Sequence, residues 1–305
     1  MYNLIVILGP TASGKTKLAV HLADKLSTEI LSADSRQIYR GMNLGTGKDL
    51  EEYRIENRQV PYHLIDIKEA GESYNVYDFQ LDFSKAFQAV TSKNKIPILA
   101  GGSGLYIDAV LKNYQYTSVP IDLVLRDRLS SHSLSELEAI FRSIPSEYTD
   151  KADLSTYKRA IRSIEISTFL QSNYMNINTF NLIQPLVFGL NPELIFRREK
   201  ITKRLHERLE EGLVEEVKFL LDSGVSSDKL VFYGLEYKFI AEYLTQKSDY
   251  KSMVEKLNSA IHQFAKRQMT YFRKMERDGT IIHWLDPAVG EEENSKEMVK
   301  KVWNQ

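Results

Sequence analysis

A phosphate-binding pattern near the amino terminus constrains the fold of this chain more than any other feature. Residues 9–16 read Gly-Pro-Thr-Ala-Ser-Gly-Lys-Thr and satisfy G-x-x-x-x-G-K-[ST]. The apolar run from Leu4 to Leu8 precedes the pattern directly, and helically spaced leucines follow it from Lys17 to Leu26. A strand before and a helix after are the context in which this pattern forms a P-loop. The sequence therefore predicts a buried parallel strand that leads into a phosphate-binding loop.

The predicted P-loop supplies the groups that bind a di- or triphosphate. Its glycines let the backbone wrap a phosphate, so that several N–H groups and the positive end of the helix face the anion. Lys15 adds a positive charge, and the Thr16 hydroxyl can ligate Mg²⁺, the one cofactor we predict. The expected phosphate-binding residues are Gly9, Pro10, Thr11, Ala12, Ser13, Gly14, Lys15 and Thr16.

The remaining hydrophobic pattern predicts an α/β fold. Three further apolar runs read as strands, at Glu29 to Ser32, Ile96 to Ala100 and Leu186 to Leu190. Between residues 118 and 182 the apolar spacing is helical, without strand signals. We predict a P-loop doubly wound parallel sheet, residues 1–117 and 183–305, with an inserted all-helical subdomain at 118–182.

The carboxyl-terminal third should contain long helices. We expect one from Glu193 to Leu221, one from Tyr250 to Arg277, and an edge strand at Ile281 to Trp284. The Glu- and Lys-rich tail from Glu291 is predicted to be a frayed surface helix.

Composition narrows the function classes. The 305 residues include no cysteine, which excludes disulfides, thiolate catalysis and Cys-based zinc sites. The net charge is −1, so a nucleic-acid surface has to be a local basic patch. Because the amino-terminal apolar run is too short to span a bilayer, we expect a cytoplasmic protein that does not contact membranes.

An acidic residue follows the second predicted strand. Asp34 lies in Ala33-Asp34-Ser35-Arg36-Gln37, and the carboxyl ends of neighbouring parallel strands line one crevice, so Asp34 is placed near Lys15. It could act as a general base, or be a turn former or helix cap. The strand from Ile96 ends in Gly101-Gly102 and not in the acid typical of hydrolysing ATPases, which weakens a motor or switch interpretation.

Five motifs together resemble the tRNA dimethylallyltransferase family. They are GPTASGKT (9–16), ADSRQIY (33–39), LGTGK (44–48), GGSGLY (101–106) and AKRQMTYFR (265–273), in the family's order and across nearly the whole chain. The resemblance implies transfer of a dimethylallyl group from dimethylallyl diphosphate to the exocyclic amine of the tRNA adenosine 3′ of the anticodon, position 37, with release of pyrophosphate. ATP-type nucleotide binding is also a property expected of the P-loop.

The resemblance also assigns catalytic roles. Lys15 and Mg²⁺ at Thr16 would neutralise the leaving pyrophosphate. Asp34 would accept the proton of the attacking amine. Ser103, where the family usually has Thr, would orient the amine or a phosphate oxygen, or else simply cap the following helix.

The resemblance also implies contacts with the anticodon stem-loop. The target base would leave its stack in that loop in order to react. Asp34, Ser35, Arg36 and Gln37, together with Ser103, would touch the target base and its neighbours. A basic cluster on an inserted helix, an arginine before it and one face of the last long helix would hold the RNA, although such charges are usually a solvated face. These residues are Arg126, Lys158, Arg159, Ala160, Ile161, Arg162, Lys266, Arg267, Gln268 and Arg273.

The last long helix separates into two faces by counting. Leu257, Ile261, Phe264 and Phe272 should be buried, and the basic side chains should lie opposite. Gln268 falls in the apolar sector, where it either ties the helix to a loop backbone or borders the substrate channel. The basic run Arg197 to Arg204 reads as helix solvation, with phosphate contacts possible in principle.

Three rival functions remain at this stage. A P-loop kinase of a nucleoside or small metabolite would use the same loop and Asp34. An isopentenyltransferase of free adenine nucleotide would not require the basic insertion. In a nucleotide-gated RNA-binding protein Asp34 would be dispensable. The sequence departs from the family at Ser103 and at Tyr233-Gly234-Leu235-Glu236-Tyr237, where an Ile or Val before Gly-Tyr is usual. We expect a monomer.

Overall fold

The protein is built around eight strands and twelve helices in the part of the chain that the computed structural model describes, residues 2–173 and 182–303. The strands are β1 (Leu4–Leu8), β2 (Ile30–Ser32), β3 (Arg54–Ile55), β4 (Arg58–Gln59), β5 (Tyr62–His63), β6 (Ile98–Gly101), β7 (Pro185–Leu190) and β8 (Ile282–Leu285). The helices are α1 (Lys15–Lys25), α2 (Val76–Thr91), α3 (Gly104–Leu111), α4 (Leu123–Leu129), α5 (Leu134–Arg142), α6 (Tyr157–Ser172), α7 (Leu194–Glu210), α8 (Leu213–Asp222), α9 (Ser227–Tyr233), α10 (Leu235–Leu244), α11 (Tyr250–Arg277) and α12 (Glu291–Trp303).

Six strands form one parallel sheet in the order β5-β2-β6-β1-β7-β8, and β3 and β4 form a separate antiparallel pair. All five β1 residues are buried, because one hydrophobic cluster covers each face of the sheet. Leu8 at the end of β1 is in register with Gly101 of β6 and Gly189 of β7. The sheet is the parallel P-loop arrangement that the sequence predicts.

The chain divides into two compact units, Met1–Lys112 with Asn181–Gln305, and Asn113–Phe180. The first contains the sheet, and the second contains α4, α5 and α6 around a core that includes Leu137, Phe141 and Ile164. The sequence-based division at 118 and 182 differs from these boundaries by a few residues. Residues 174–181 of the predicted insertion lie outside the described residues. In the described chain, no helix combines the length and apolarity needed to cross a bilayer.

One predicted helix is wrong in its length. The run from Glu193 to Leu221 forms two helices, α7 and α8, which are separated at Gly212. Gly212 has a φ of 103°, a left-handed conformation that glycine adopts without the steric cost of a Cβ. The chain therefore turns at Gly212, and α8 continues in a new direction.

The predicted frayed tail is also corrected. The helix α12 packs on α1, and its Met298 and Val302 are buried in the cluster on that side of the sheet. Lys25 and Glu292 add an ion pair with an N–O distance of 2.9 Å. Apolar residues four apart, which the high charge of the segment obscured, place one face of α12 in the core.

The predicted inner face of α11 needs one correction. Leu257, Ile261 and Phe272 are buried as expected, but Phe264 is 40% exposed. The exposed ring of Phe264 lines a cavity, which is described below.

We predict that Met298→Ala lowers the free energy of unfolding by about 2–5 kcal/mol, because it removes a fully buried side chain from the contact between α12 and α1. Urea denaturation with a circular dichroism readout would measure the change. Lys300→Ala, an exposed substitution in the same helix, should change the free energy by less than about 0.5 kcal/mol. Equal effects for both variants would mean that α12 does not belong to the core.

Candidate active site

Three loops meet at the carboxyl edge of the sheet. The P-loop follows β1, Ala33–Gln37 follows β2, and Gly102-Ser103 follows β6. Because β1, β2 and β6 are neighbours in parallel register, their ends lie side by side. Ala33 N–H donates to Ala100 O (2.8 Å) and Ser103 N–H donates to Ala33 O (3.2 Å). The loops after β2 and β6 are thus joined to each other through their backbones.

The side chain of Gln268 connects two of these loops. Its Oε1 accepts from Thr11 N–H of the P-loop (2.8 Å), and its Nε2 donates to Gly102 O (3.0 Å). The residue is only 8% exposed. A Cβ on Gly102 would lie 2.4 Å from Gln268 Nε2, so glycine is required for this close approach. The amide is held by protein backbone, which supports the structural alternative for Gln268 over direct contact with RNA.

A polar cavity of about 320 Å³ lies over the P-loop. Its walls come from the P-loop, from the chain between Thr46 and Tyr53, and from the basic face of α7. Most of the polar side chains in its lining are charged or carry a hydroxyl group. They include Thr11, Ser13, Lys15, Thr16, Asp34, Gln37, Thr46, Asp49, Glu52, Lys200, Lys203 and Arg204. The mixture of cations, hydroxyls and backbone N–H groups suits a diphosphate with a bound cation.

A second cavity, of about 350 Å³, shares Thr11, Lys15, Asp34, Thr46 and Arg204 with the first. It is also lined by Ser35, Arg36, Ser103, Arg267 and Gln268, as well as by Glu236. Its apolar walls are Val231, Leu235, Ile261 and Phe264. A polar chamber and a partly apolar one therefore adjoin at Lys15 and Asp34.

Two half-buried cations face the polar cavity. Burial lowers the pKa of Lys15 to about 8, while Asp34 opposes that shift and Arg204 adds to it. Burial and the neighbouring Arg208 lower the pKa of Arg204 to about 10. Arg204 donates a hydrogen bond to Thr11 Oγ1. Positive charge concentrated partly out of water favours binding of a polyanion, since the anion stabilises the charged form of both groups.

Asp34 and Ser103 occupy the junction of the two cavities. Asp34 Oδ1 accepts from Arg36 N–H (2.9 Å), and its Oδ2 has no hydrogen-bond partner among the described residues. Ser103 Oγ accepts from Ser35 N–H (3.0 Å), and no hydrogen bond from its side chain caps α3. The cap interpretation of Ser103 is therefore wrong, and its hydroxyl stabilises the loop that carries Asp34.

The other two residues of the predicted base-binding segment have internal partners. Gln37 Nε2 donates to Gly47 O (2.9 Å), and Gln37 Oε1 accepts from Ser32 Oγ (3.2 Å). Gln37 lines only the polar cavity, so a hydrogen bond from it to a base edge is not supported. Arg36 donates to Phe232 O and lies 5.3 Å from the centroid of the Phe232 ring.

The site's donor set is consistent with Mg²⁺ at Thr16. Among residues 2–173 and 182–303, no three His, Cys, Asp or Glu side chains form a group that could hold a metal unaided. Mg²⁺ commonly uses one or two protein oxygens, with substrate phosphates and water completing its shell. Thr16 faces the polar cavity with Asp49 and Glu52. Burial and then Asp49 raise the pKa of Glu52, a concentration of negative charge that a divalent cation would relieve.

In the helical unit, two predicted RNA-binding arginines bind a buried glutamate. Glu165 accepts from Arg126 Nε (2.7 Å) and Nη2 (2.8 Å), and Arg162 Nη1 lies 3.2 Å from its Oε2. Arg162 also donates to Val119 O (2.6 Å). Arg126 thereby joins α4 to α6, and Arg162 joins the segment before α4 to α6. Both guanidinium groups are structural partners of Glu165 in this unit.

The rest of the predicted cluster divides by exposure. Ala160 and Ile161 are 0% and 7% exposed and belong to the core of the helical unit, so their side chains are not placed to contact RNA. Lys158 and Arg159 are exposed, and Arg159 pairs with Asp153 at 3.0 Å. Of the predicted residues on α11, Lys266 and Arg273 are exposed and line neither cavity.

Several site residues were missed by sequence reasoning. The basic run on α7 was interpreted mainly as helix solvation, yet Lys200, Lys203 and Arg204 line the polar cavity. A signal was present, because buried Ile201, Leu205 and Arg208 place one face of α7 inward. The motif LGTGK was recognised but was not assigned to the site. Glu236, whose pKa is raised by burial, and the apolar walls of the second cavity were also missed.

The fold and the site define a P-loop protein in which a polar cavity adjoins a partly apolar one. A sequence model described as IPP transferase matches residues 37–275. The chain is 50% identical to tRNA dimethylallyltransferase 1 of Porphyromonas gingivalis, over 97% of this chain and 98% of that protein. It is 51% identical to tRNA dimethylallyltransferase 2 of Bacteroides fragilis, over 96% and 95% respectively. The chain therefore belongs to the tRNA dimethylallyltransferase family.

Solved structures agree with this assignment. The full-length tRNA isopentenylpyrophosphate transferase from Bacillus halodurans aligns with a TM-score of 0.71 at 30% identity, covering 99% of this chain and 96% of that one. A eukaryotic dimethylallyltransferase acting on tRNA aligns with a TM-score of 0.80 over 100% of this chain and 79% of that chain. Because the second identity is 21%, that likeness shows the fold alone.

We predict that pyrophosphate binding weakens as pH rises above about 8, because Lys15 then loses its charge in the free protein. The pKa of this lysine is lowered, so the favourable charge is present below about pH 8 and is lost above it. Calorimetry at fixed magnesium should show the dissociation constant rising by up to about tenfold per pH unit between pH 8 and 9.

Lys15→Gln provides the control for this titration, since any ionisation of the ligand is common to both proteins. Its dissociation constant should be high at every pH and should follow only the ligand's own ionisation. Parallel curves for the two proteins would show that Lys15 is not the titrating group.

We predict that Gln268→Leu raises the dissociation constant of pyrophosphate by about 10- to 100-fold, because Thr11 N–H and Gly102 O lose their buried partner. Leucine keeps a comparable volume, so packing of α11 is largely retained. Gln263→Leu, an exposed position on the same helix, is the matched control and should bind as the wild type does. Equal binding by both variants would contradict a role for Gln268 in shaping the P-loop.

Proposed function

We propose that this protein transfers a dimethylallyl group from dimethylallyl diphosphate to the exocyclic amine of the adenosine at tRNA position 37, immediately 3′ of the anticodon. The observation that carries the proposal is the junction of the two cavities at Lys15 and Asp34. A diphosphate in the polar cavity places its allyl carbon at this junction, and the acceptor base reaches it from the other side. Family membership supports the substrate classes.

The reaction forms a C–N bond, breaks a C–O bond and transfers one amine proton to a base. The amine nitrogen bonds to C1 of the allyl group while the bond from C1 to the diphosphate oxygen breaks, and pyrophosphate leaves with both bonding electrons. Lys15, Arg204 and the P-loop N–H groups stabilise the negative charge that develops on the leaving oxygens. Thr16 would hold Mg²⁺, which would supply further charge neutralisation.

Asp34 is the residue placed to take the amine proton. An exocyclic adenine amine is a weak nucleophile, so proton removal during attack assists the reaction. Asp34 lines both cavities, and Arg36 N–H fixes its Oδ1. Val231, Leu235, Ile261 and Phe264 supply apolar surface for the allyl group and the base. We assign the acceptor to the second cavity for this reason.

RNA binding is assigned to exposed cations on each unit. Lys158 and Arg159 of the helical unit and Lys266, Arg267 and Arg273 of α11 have exposed side chains that can meet phosphates. The overall charge of −1 is compatible with such local patches. A cytoplasmic location follows from tRNA as the substrate and is part of the proposal.

We predict that Asp34→Asn lowers kcat by about 10²- to 10⁴-fold and leaves the dissociation constant for tRNA within about twofold, because asparagine keeps the size of the side chain but cannot accept the amine proton. The assay measures transfer of radiolabel from dimethylallyl diphosphate to unmodified tRNA with magnesium. Asp222→Asn, at an exposed carboxylate on α8, is the control and should retain full activity.

Parallel reactions that offer AMP or ATP separate the alternatives. Label confined to the anticodon loop supports the proposal. Label on AMP would instead identify a free-nucleotide prenyltransferase, and ATP turnover without transfer would identify a kinase. Full activity of Asp34→Asn would remove the base assignment while leaving the transfer reaction in place.

A further inference from the structure

The chain from Asn43 to Asp49, here called the 43–49 loop, borders both cavities. Thr46 lines both cavities, Gly45 lines the second cavity, and Asp49 lines the polar cavity. The loop carries no helix or strand of its own, so its position depends on what it is attached to. Two of its attachments, Arg208 and Glu216, lie on helices far away in sequence.

A single carboxylate from α8 binds three consecutive backbone groups of this loop. Glu216 Oε2 accepts from Asn43 N–H (2.8 Å) and Leu44 N–H (2.8 Å), and Glu216 Oε1 accepts from Gly45 N–H (3.0 Å). Tyr237 OH donates to the same Oε1 at 2.7 Å. Successive backbone N–H groups that converge in this way make an anion-binding nest, and here the anion is supplied by the protein.

Two further contacts fix the other end of the loop. The buried Lys48 ammonium donates to Tyr39 O and pairs with Asp66. Arg208 Nη2 lies 3.1 Å from Asp49 Oδ2. These contacts anchor the second half of the loop at Lys48 and Asp49, and Gln37 Nε2 adds a hydrogen bond to Gly47 O. Glu216 binds the backbone N–H groups of the first half, which leads directly into Thr46, and Thr46 Oγ1 itself donates to Met42 O.

We propose that Glu216 is a positioning residue for prenyl transfer, which holds the 43–49 loop, and with it Thr46, in place where the two cavities meet. This inference rests on the proposed function for its assay. Glu216 lines neither cavity, so it acts through the loop and not by touching a substrate. Its charge matters as well as its shape, because hydrogen bonds to an ionised acceptor are stronger than those to a neutral one.

Loss of the Glu216 contacts should impair catalysis more than it impairs folding. If the first half of the loop shifts, Thr46 is misplaced at the junction while the sheet and the P-loop keep their own anchors. A displacement of about 1 Å in a positioning element can cost about 10²-fold in rate. We therefore expect Glu216→Gln to lower kcat/KM for transfer by about 10- to 100-fold, mainly in kcat, per folded molecule.

The test compares Glu216→Gln with Glu215→Gln, its exposed neighbour on α8, in the radiolabel transfer assay. Kinetic constants for dimethylallyl diphosphate and for tRNA are determined separately and are normalised to folded protein. Glutamine keeps the size of the side chain but removes its charge and places an NH₂ group among N–H donors. Glu215→Gln should match the wild type in kcat and KM. Tyr237→Phe, which removes one of the four donors, should give a smaller loss than Glu216→Gln.

A rescue experiment separates positioning from a general structural role. Glu216→Ala leaves the three N–H groups able to bind a small carboxylate, so acetate should restore part of the lost kcat when sodium chloride of equal ionic strength does not. Wild-type kcat and KM in folded Glu216→Gln would overturn the proposal, and so would an equal response of Glu216→Ala to both salts.

Failure of the proposed function gives a different result. In that case the wild type itself transfers no label to tRNA, although it still binds pyrophosphate. The inference about Glu216 is then tested by pyrophosphate affinity. Loop displacement should weaken that affinity in Glu216→Gln, and the affinity of Glu215→Gln should equal that of the wild type.

Discussion

The parallel register of β2, β6 and β1 is the constraint from which the site's geometry follows. Register pairs Leu8 with Gly101, and Ser32 with Ala100, so the chain leaves three adjacent strands at one edge. Strands in such a sheet are buried on both faces and cannot slip without exposing apolar residues. The P-loop and the loops bearing Asp34 and Ser103 are therefore brought together by the hydrophobic pattern of the strands. No contact between the loops themselves is needed for that first placement.

Polar side chains from two helices and one loop then set the fine geometry. Gln268 joins the P-loop to the turn after β6, Gln37 joins the loop after β2 to Gly47, and Glu216 holds the 43–49 loop. In each case a polar side chain satisfies backbone groups that a loop leaves unpaired. Such contacts explain why polar residues with no direct chemistry lie so close to the reacting groups. They also explain why a base-binding role for Gln37 and an RNA-binding role for Gln268 are not supported.

Local patterns predicted much of this from the sequence, and long-range pairing accounts for what they missed. The P-loop, Asp34 and the parallel sheet depend on residues adjacent in the chain, and the structure has them as expected. Arg204 reaches the P-loop across about 190 positions of sequence, and its spacing on α7 resembles that of any charged helix. Ala160 and Ile161 were assigned to RNA by their place in a basic run, although their apolar character places them in the core. The helix break at Gly212 was missed because charged residues and good helix formers lie on both sides of it.

The electrostatics of the site depend on which of its cations are paired with carboxylates. Lys15 and Arg204 are half-buried, and partial burial together with the neighbouring positive charge lowers the pKa of each. A bound diphosphate would stabilise the charged form of both groups, because its negative charge offsets their mutual repulsion. Arg208 cannot serve in the same way, because Asp49 already neutralises it. The protein thus separates arginines that hold the structure, such as Arg208, Arg126 and Arg162, from those left without a carboxylate partner among the described residues. The second group, to which Arg204 belongs, is the one whose charge is available to a substrate.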